Sequence, residues 1–271
     1  MADIAYICTT CGVQQPPSAT PPAHCPICED ERQYVNANGQ SWTTPDELRA
    51  SRSIDWRELE PGLFGIGATP QIAIGQRALF VPQPGGGVMW DGIPLVTQDA
   101  VDRMRAAGGL RAIAVSHPHF FSTIVEWSEA LDNAPIYLHD DLKPYVQRPS
   151  ANIRFWAGDT FDLGQGVTLI RCGGHFSGST ALHWPQGAGG KGALFTSDTI
   201  MVVPDTRWVS FMRSFPNLVP LNARAVRKIV DAVEPYAYDR IYSAWWDRVC
   251  KAEAKARVHA SADRYISAIA D

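Results

Sequence analysis

The hydrophobic rhythm of the chain changes near residue 60. From there, short apolar runs of strand length alternate with stretches of helical period. The runs at 63–67 (LFGIG), 71–75 (QIAIG), 78–82 (ALFVP) and 87–92 (GVMWDG) are separated by Gly and Pro and predict strands. Thr97 is placed to cap a helix through TQDAVDRMRAAGG, closed by Gly108 and Gly109. RAIAVS (111–116) predicts a buried strand. Thr123 and Glu126 have the spacing of a capping box for a helix through STIVEWSEAL. PIYLH follows as a strand and DDLKPYVQR as a short helix. Residues 160–200 are strand-rich, with TFDL, VTLIRC, TALHW and ALFTS. Asn222 is placed to cap ARAVRKIVDAV, RIYSAW predicts a strand, and residues 251–269 form an amphipathic closing helix. This mixture predicts an α+β fold with sheets covered by helices.

Composition narrows the class. A chain of 271 residues is long enough for one large domain and a small appendage. With 45% hydrophobic and 19% charged residues it reads as soluble and globular. A net charge of −4 gives no reason to expect nucleic acid as a partner. No run of about 18 apolar residues predicts a membrane span, so no membrane partner is expected. The start, MADIAYICTTCG, lacks the basic and long apolar regions of a secretory signal. The expected compartment is the cytoplasm, where disulfides are disfavoured. The expected partner is a small-molecule substrate, and a homo-oligomer is left open.

Four of the six cysteines fall in two Cys-x-x-Cys pairs, Cys8/Cys11 and Cys25/Cys28, with 13 residues between them. Each pair can make a tight knuckle, and two knuckles give a closed tetrahedral site of four thiolates. The Pro-rich segment between them cannot build a core, so an ion is expected to hold it together. Two domains are therefore predicted, 1–40 and 41–271. Cys172 and Cys250 stand alone and read as packing thiols. The wording YICTTCG and CPIC resembles the rubredoxin-type domain at the end of rubrerythrins. That resemblance leaves the ion open between iron and zinc, since both suit four sulfurs; zinc in a structural role is expected, because nothing else in the chain reads as a partner for electron transfer.

Seven histidines are present. His117 and His119 flank Pro118 at the end of a predicted strand, where i and i+2 positions of an extended chain face the same way. His175 lies in the Gly-rich loop CGGHFSGST, and Asp198 follows the apolar run ALFTS. Two His at one strand end, a third in a close-approach loop and an Asp at another strand end match a metal centre. His24, His139, His183 and His259 read as ordinary hydrogen-bonded side chains.

At this point the chain resembles the metallo-β-lactamase superfamily, through VMWDGIPLV, SHPHFFS, GGHFSGSTALHW and LFTSDTI in order over roughly 60–250. The resemblance implies an αββα metallo-β-lactamase-like sandwich, preceded here by the small four-cysteine metal-knuckle domain. It implies that Asp91 supports the site's loops. It also implies that the first metal's ligands are His117, His119 and His175, with Asp198 bridging. The family's second-metal Asp and His are replaced by Phe121 and Ser122, and Trp245 stands at or beside the position of a third ligand. One Zn or Fe is therefore expected in the main domain. Phe120, Phe121, Trp245 and Trp246 are expected to line a drier substrate pocket.

The expected activity is a mononuclear metal-dependent hydrolase of a small, partly apolar substrate, with metal-bound hydroxide as nucleophile and Asp198 as the catalytic carboxylate. Two other readings are kept. One is a mononuclear iron oxidoreductase like the persulfide dioxygenases. The other is a non-catalytic binding protein that retains the fold.

Overall fold

A computed structural model describes residues 3–270. The chain divides into two compact units, Met1–Leu138 with Lys143–Phe155, and His139–Leu142 with Trp156–Asp271.

In the first unit, β1 (Ile7–Cys8) and β2 (Trp42–Thr43) pair antiparallel around the cysteine segment. Helix α1 (Pro45–Ser51) starts at a capping box: the Thr44 hydroxyl accepts from Glu47 N and the Glu47 carboxylate accepts from Thr44 N. Strands β3 (Ser53–Glu60), β4 (Leu63–Thr69), β5 (Arg77–Val81), β6 (Gly87–Trp90), β7 (Leu110–Ala114), β8 (Ile136–His139) and β9 (Ile153–Trp156) form a seven-stranded sheet in chain order. Every residue of β5 and β6 is buried, as central strands require. The pairs β6/β7 and β7/β8 are parallel. Their crossovers are α2 (Gln98–Ala106) and α3 (Ile124–Ala130). Ile7 packs with Leu48 and Leu95, so the cysteine segment shares a small core with α1 and the loop after β6.

The predicted strand at 71–75 is absent. Ala73 (φ 54°) and Gly75 (φ 71°) are both left-handed, which an extended run cannot accommodate, and the strand starts at Arg77. Thr97 caps α2 as predicted, accepting from Ala100 N. The predicted Thr123/Glu126 capping box does not form. The Thr123 hydroxyl donates to Ile93 O at 2.7 Å, and Glu126 Oε1 accepts from Gln14 Nε2 at 2.6 Å. Distant partners have taken both side chains.

The strands of the second unit are β10 (Thr160–Gly164), β11 (Val167–Arg171), β12 (Thr180–Trp184), β13 (Ala193–Phe195), β14 (Met201–Val202), β15 (Val209–Ser210), β16 (Arg240–Tyr242) and β17 (Val249–Cys250). Six assemble in the order β10-β11-β12-β13-β16-β17, while β14 and β15 pair with each other. The helical pieces are a Gly-rich turn, α4 (Gly187–Gly190), then α5 (Ala223–Val233) and α6 (Ala254–Ala268). Asn222 caps α5 by accepting from Ala225 N at 2.9 Å, as predicted. Val226, Ile229, Val230 and Val233 form its buried stripe at helical spacing. That stripe joins Val258 and Ala262 of α6 and Ile170, Leu194 and Ile241 of the sheet in one core. Among the described residues, no helix is long and apolar enough to cross a membrane.

Candidate metal centre

Strands β6 and β7 run parallel with Trp90 opposite Ala114, so Asp91 and Ser116 emerge side by side at their carboxyl ends. Asp91 (φ 63°) turns the chain there, and its N–H donates to Ala114 O at 2.8 Å. Its Oδ1 accepts from both the N–H and the hydroxyl of Ser116, each at 2.7 Å. The Ser116 hydroxyl proton is thus committed to Asp91. Its oxygen, 2.8 Å from His117 Nδ1, must accept from that ring. The proton of His117 therefore sits on Nδ1, and Nε2 is the ligand-type nitrogen. Asp91 thus supports the histidine loop, in the manner the sequence led one to expect, with Ser116 as the link.

His119 is not held in an extended i, i+2 arrangement. His117 is extended, but Pro118–Phe120 form a 3₁₀ turn, and the two imidazole centroids lie 5.0 Å apart. Proline at the first position of the turn favours this choice. Gly92 makes room for it: a Cβ there would lie 2.9 Å from Phe120 O and 2.8 Å from Ile124 Cγ2. Gly92→Ala is expected to lower stability by about 1–3 kcal/mol through overpacking, read by urea denaturation. An unchanged midpoint and slope would show that the turn yields freely.

In the second unit, Gly173 (φ 70°) and Gly174 (φ 81°) carry the chain from β11 into the His175 loop. A Cβ on Gly174 would lie 2.6 Å from Ile229 Cδ1 of α5, so only glycine lets the loop sit this close. Ser179 closes the loop, its hydroxyl accepting from Phe176 N at 2.8 Å. His175 Nδ1 donates to Arg213 O at 2.7 Å, which again leaves Nε2 as the ligand nitrogen. Asp198 lies in the turn after β13. That turn is pinned by Thr196 Oγ1 donating to Ile200 O at 2.6 Å and Ser243 Oγ donating to Ser197 O at 2.9 Å. Asp198 Oδ2 is 3.7 Å from His175 Nε2.

In the first unit His117 and His119 are fully buried, and in the second His175 and Asp198 are fully buried. Imidazoles and a carboxylate of this kind are donors that suit a divalent transition metal.

The four cysteines of the knuckles are also buried, and none is in a disulfide. Cys8 Sγ is 3.6 Å from Cys28 Sγ, and Cys11 Sγ is 3.7 Å from Cys25 Sγ. A tetrahedron with metal–sulfur bonds of about 2.3 Å has edges of about 3.8 Å, so the sulfurs already stand at the corners of such a site. The Cys11 sulfur holds the Cys8 thiol far below its ordinary value, while burial pushes the Cys11 thiol up. A cation that takes all four as thiolates removes this conflict.

The other histidines do what was expected of them. His24 pairs with Glu29, His139 with Gly158 O, His183 with Ala237 O and His259 with Glu234. Cys172 and Cys250 are buried, with the Cys172 thiol pushed up to about 12 by burial. Of the aromatic residues, Phe120 is fully buried with its ring edge-on to His117 at 4.8 Å. Phe121 and Ser122 border Val13 and Gln14 of the cysteine segment. Trp245 and Trp246 are half-buried, and Trp245 stacks on Phe215 at 5.8 Å. Sequence reasoning missed Ser116, Arg213 and Gln14. Ser116, directly before His117, was findable. Arg213 acts through its carbonyl, which leaves no trace in residue type.

The fold matches solved metallo-β-lactamases. DIM-1 metallo-β-lactamase exposed to ceftazidime superposes with a TM-score of 0.59 at 12% identity, covering 80% of this chain and 97% of that one. FIM-1 from Pseudomonas aeruginosa in its mono-zinc form gives 0.58 at 12% identity, over 78% of this chain and 95% of that one. The protein therefore has the metallo-β-lactamase fold, the αββα class predicted from sequence, with a compact four-cysteine cluster near its N-terminus. No family model matches the chain. It is 46% identical over 266 residues to the uncharacterized protein YmaE of Bacillus subtilis (strain 168), covering 97% of this chain and 96% of that protein, and it belongs to the same family.

Proposed function

We propose that the protein is a mononuclear metal-dependent hydrolase of a small, partly apolar substrate. The observation that carries this reading is the donor set itself: two buried imidazoles, His117 and His119, side by side in the first unit, and a buried imidazole, His175, 3.7 Å from a buried carboxylate, Asp198, in the second. His117, His119 and His175 would hold the ion through Nε2, each neutral and so leaving it its full charge. When bound, the ion supplies a Lewis acid that acidifies a coordinated water and polarises a carbonyl. Asp91, Ser116 and the Arg213 carbonyl fix the tautomers of His117 and His175. Asp198 accepts and holds the proton released during attack, as a general base. Phe120, Phe121, Trp245 and Trp246 would exclude water and favour the apolar part of the substrate. The FIM-1 mono-zinc form shows that a protein of this fold can be isolated with one zinc. We assign structural zinc to the four cysteines. The six unpaired thiols suit a cytoplasmic setting.

One observation favours a second reading. All four ligands have zero exposure, which suits a retained, non-catalytic centre as well as one that opens for substrate. The deciding experiment is elemental analysis of protein purified without added metal, followed by a broad screen of esters, thioesters, lactones and amides. The hydrolase reading expects one ion beyond the cysteine site and turnover of at least one class. One ion with no turnover moves the binding-protein reading ahead. Iron with oxygen consumption moves the oxidoreductase reading ahead.

A further inference from the structure

Gln14 lies three positions beyond Cys11 in the chain and is 1% exposed. Its polar groups meet the segment just after the histidines, α3, Arg148 and Ala5. Its backbone N–H donates to Ser122 O at 3.1 Å, three residues past His119. In return the Ser122 hydroxyl donates to Gly12 O at 3.2 Å. The Gln14 side-chain amide donates to Glu126 Oε1 of α3 at 2.6 Å and to Ala5 O at 3.3 Å, while its carbonyl accepts from Arg148. Arg148 also pairs with Glu126 at 3.5 Å, which closes a three-residue network.

Two further features make this network a clamp. Ser122 is left-handed (φ 47°), a conformation that a non-glycine residue keeps only when its surroundings impose it. The seam bordered by Val13, Gln14, Phe121 and Ser122 is nearly closed, with a cavity of only about 10 Å³. The cysteine segment and the turn after the histidines touch directly through the Gln14–Ser122 and Ser122–Gly12 hydrogen bonds. The clamp's near end belongs to the knuckle, where Gly12 N–H donates to Cys8 O at 2.8 Å and Cys8 N–H to Val13 O at 3.1 Å.

We propose that Gln14 is a positioning residue through which the four-cysteine knuckle holds the His117–Ser122 turn in its ligand geometry. Loading of the knuckle then strengthens ion binding at the histidine centre. This rests on the reading that His117, His119, His175 and Asp198 hold an ion. Coupling of this kind is reciprocal, so the histidine ion in turn steadies the knuckle. Residues that orient metal ligands from outside typically change ion affinity by about 10–100-fold when removed, and Gln14 belongs at the lower end because it acts on the turn.

The test uses the whole chain loaded with cobalt(II). Thiolate-to-cobalt charge-transfer bands report the cysteine site, and weaker d–d bands report the nitrogen and oxygen centre. Chelator competition gives the affinity of each. Gln14→Ala should keep the charge-transfer bands and weaken the histidine centre by about tenfold. The swap Gln14→Glu with Glu126→Gln rebuilds the donor–acceptor pair and the acceptor for Arg148, and should return affinity to within about threefold, near the normal scatter of such contacts. Wild type taking two cobalt ions, with Gln14→Ala unchanged at the histidine centre, overturns the proposal alone. So does a swap variant that folds but binds as weakly as Gln14→Ala. Should Gln14→Ala not fold, the swap variant decides. Wild type that takes only thiolate-bound cobalt overturns this proposal and the hydrolase reading together.

Discussion

His175→Ala is expected to lose the histidine-centre ion and all hydrolytic turnover, while Asp198→Asn keeps most of the ion and turns over roughly 10²-fold more slowly, the low end for loss of a general base. The asymmetry follows from what each residue brings. On the proposed reading His175 would be a neutral ligand whose ring is set by the Arg213 carbonyl, and alanine would leave both the ion and that carbonyl without it. Asp198 brings charge at 0% exposure, where asparagine keeps the shape and loses the proton acceptor. Metal content and ester or thioester turnover, measured on the same preparations, separate the roles. If Asp198→Asn releases the ion as completely as His175→Ala does, the carboxylate is a ligand and not a base. If His175→Ala keeps its full complement of metal, the ion lies elsewhere.

Cys25→Ser is expected to release the knuckle ion and to unfold the cysteine segment, since at such a site metal binding and folding share one free energy. Hydrogen exchange should show fast amides between Cys8 and Cys28 and also, through the Ser122 contacts, in the turn after His119. Protection confined to wild-type values throughout would mean that the segment holds without its ion. Disulfides Cys8–Cys11 and Cys25–Cys28 in freshly prepared protein would remove the metal reading outright. The four sulfurs instead gather within 4.8 Å of one another, the clustering that one shared ion needs.

Features carried by residue type at short range were legible in the sequence. The Cys-x-x-Cys pairs, the His117/His119 spacing, the glycines before His175 and the caps at Thr97 and Asn222 each bring their own geometry. What was not legible depends on partners far along the chain. Thr123 and Glu126 have capping-box spacing, yet Ile93 and Gln14 claim them. Residues 71–75 have a strand's composition, yet Ala73 and Gly75 adopt left-handed backbone to make a turn. The pair His117 and His119 was found for a partly mistaken reason, since a 3₁₀ turn and not an extended chain brings the rings together. Phe121 and Ser122 read as lost ligands, and nothing local in them announces that they meet Gln14.

The two lone cysteines have a practical consequence. Cys172 and Cys250 are at most 1% exposed, and burial raises both thiols above their ordinary value, which disfavours the reactive thiolate. An alkylating reagent should therefore pass them by in the native protein. The other four sulfurs are silent while they bind an ion and become nucleophiles when it leaves. Among the described residues, every thiol that can be labelled without unfolding the second unit belongs to the knuckle. The molecule thus carries its own colourless indicator: the number of alkylated cysteines, counted by mass, reads directly the fraction of chains whose knuckle has lost its metal.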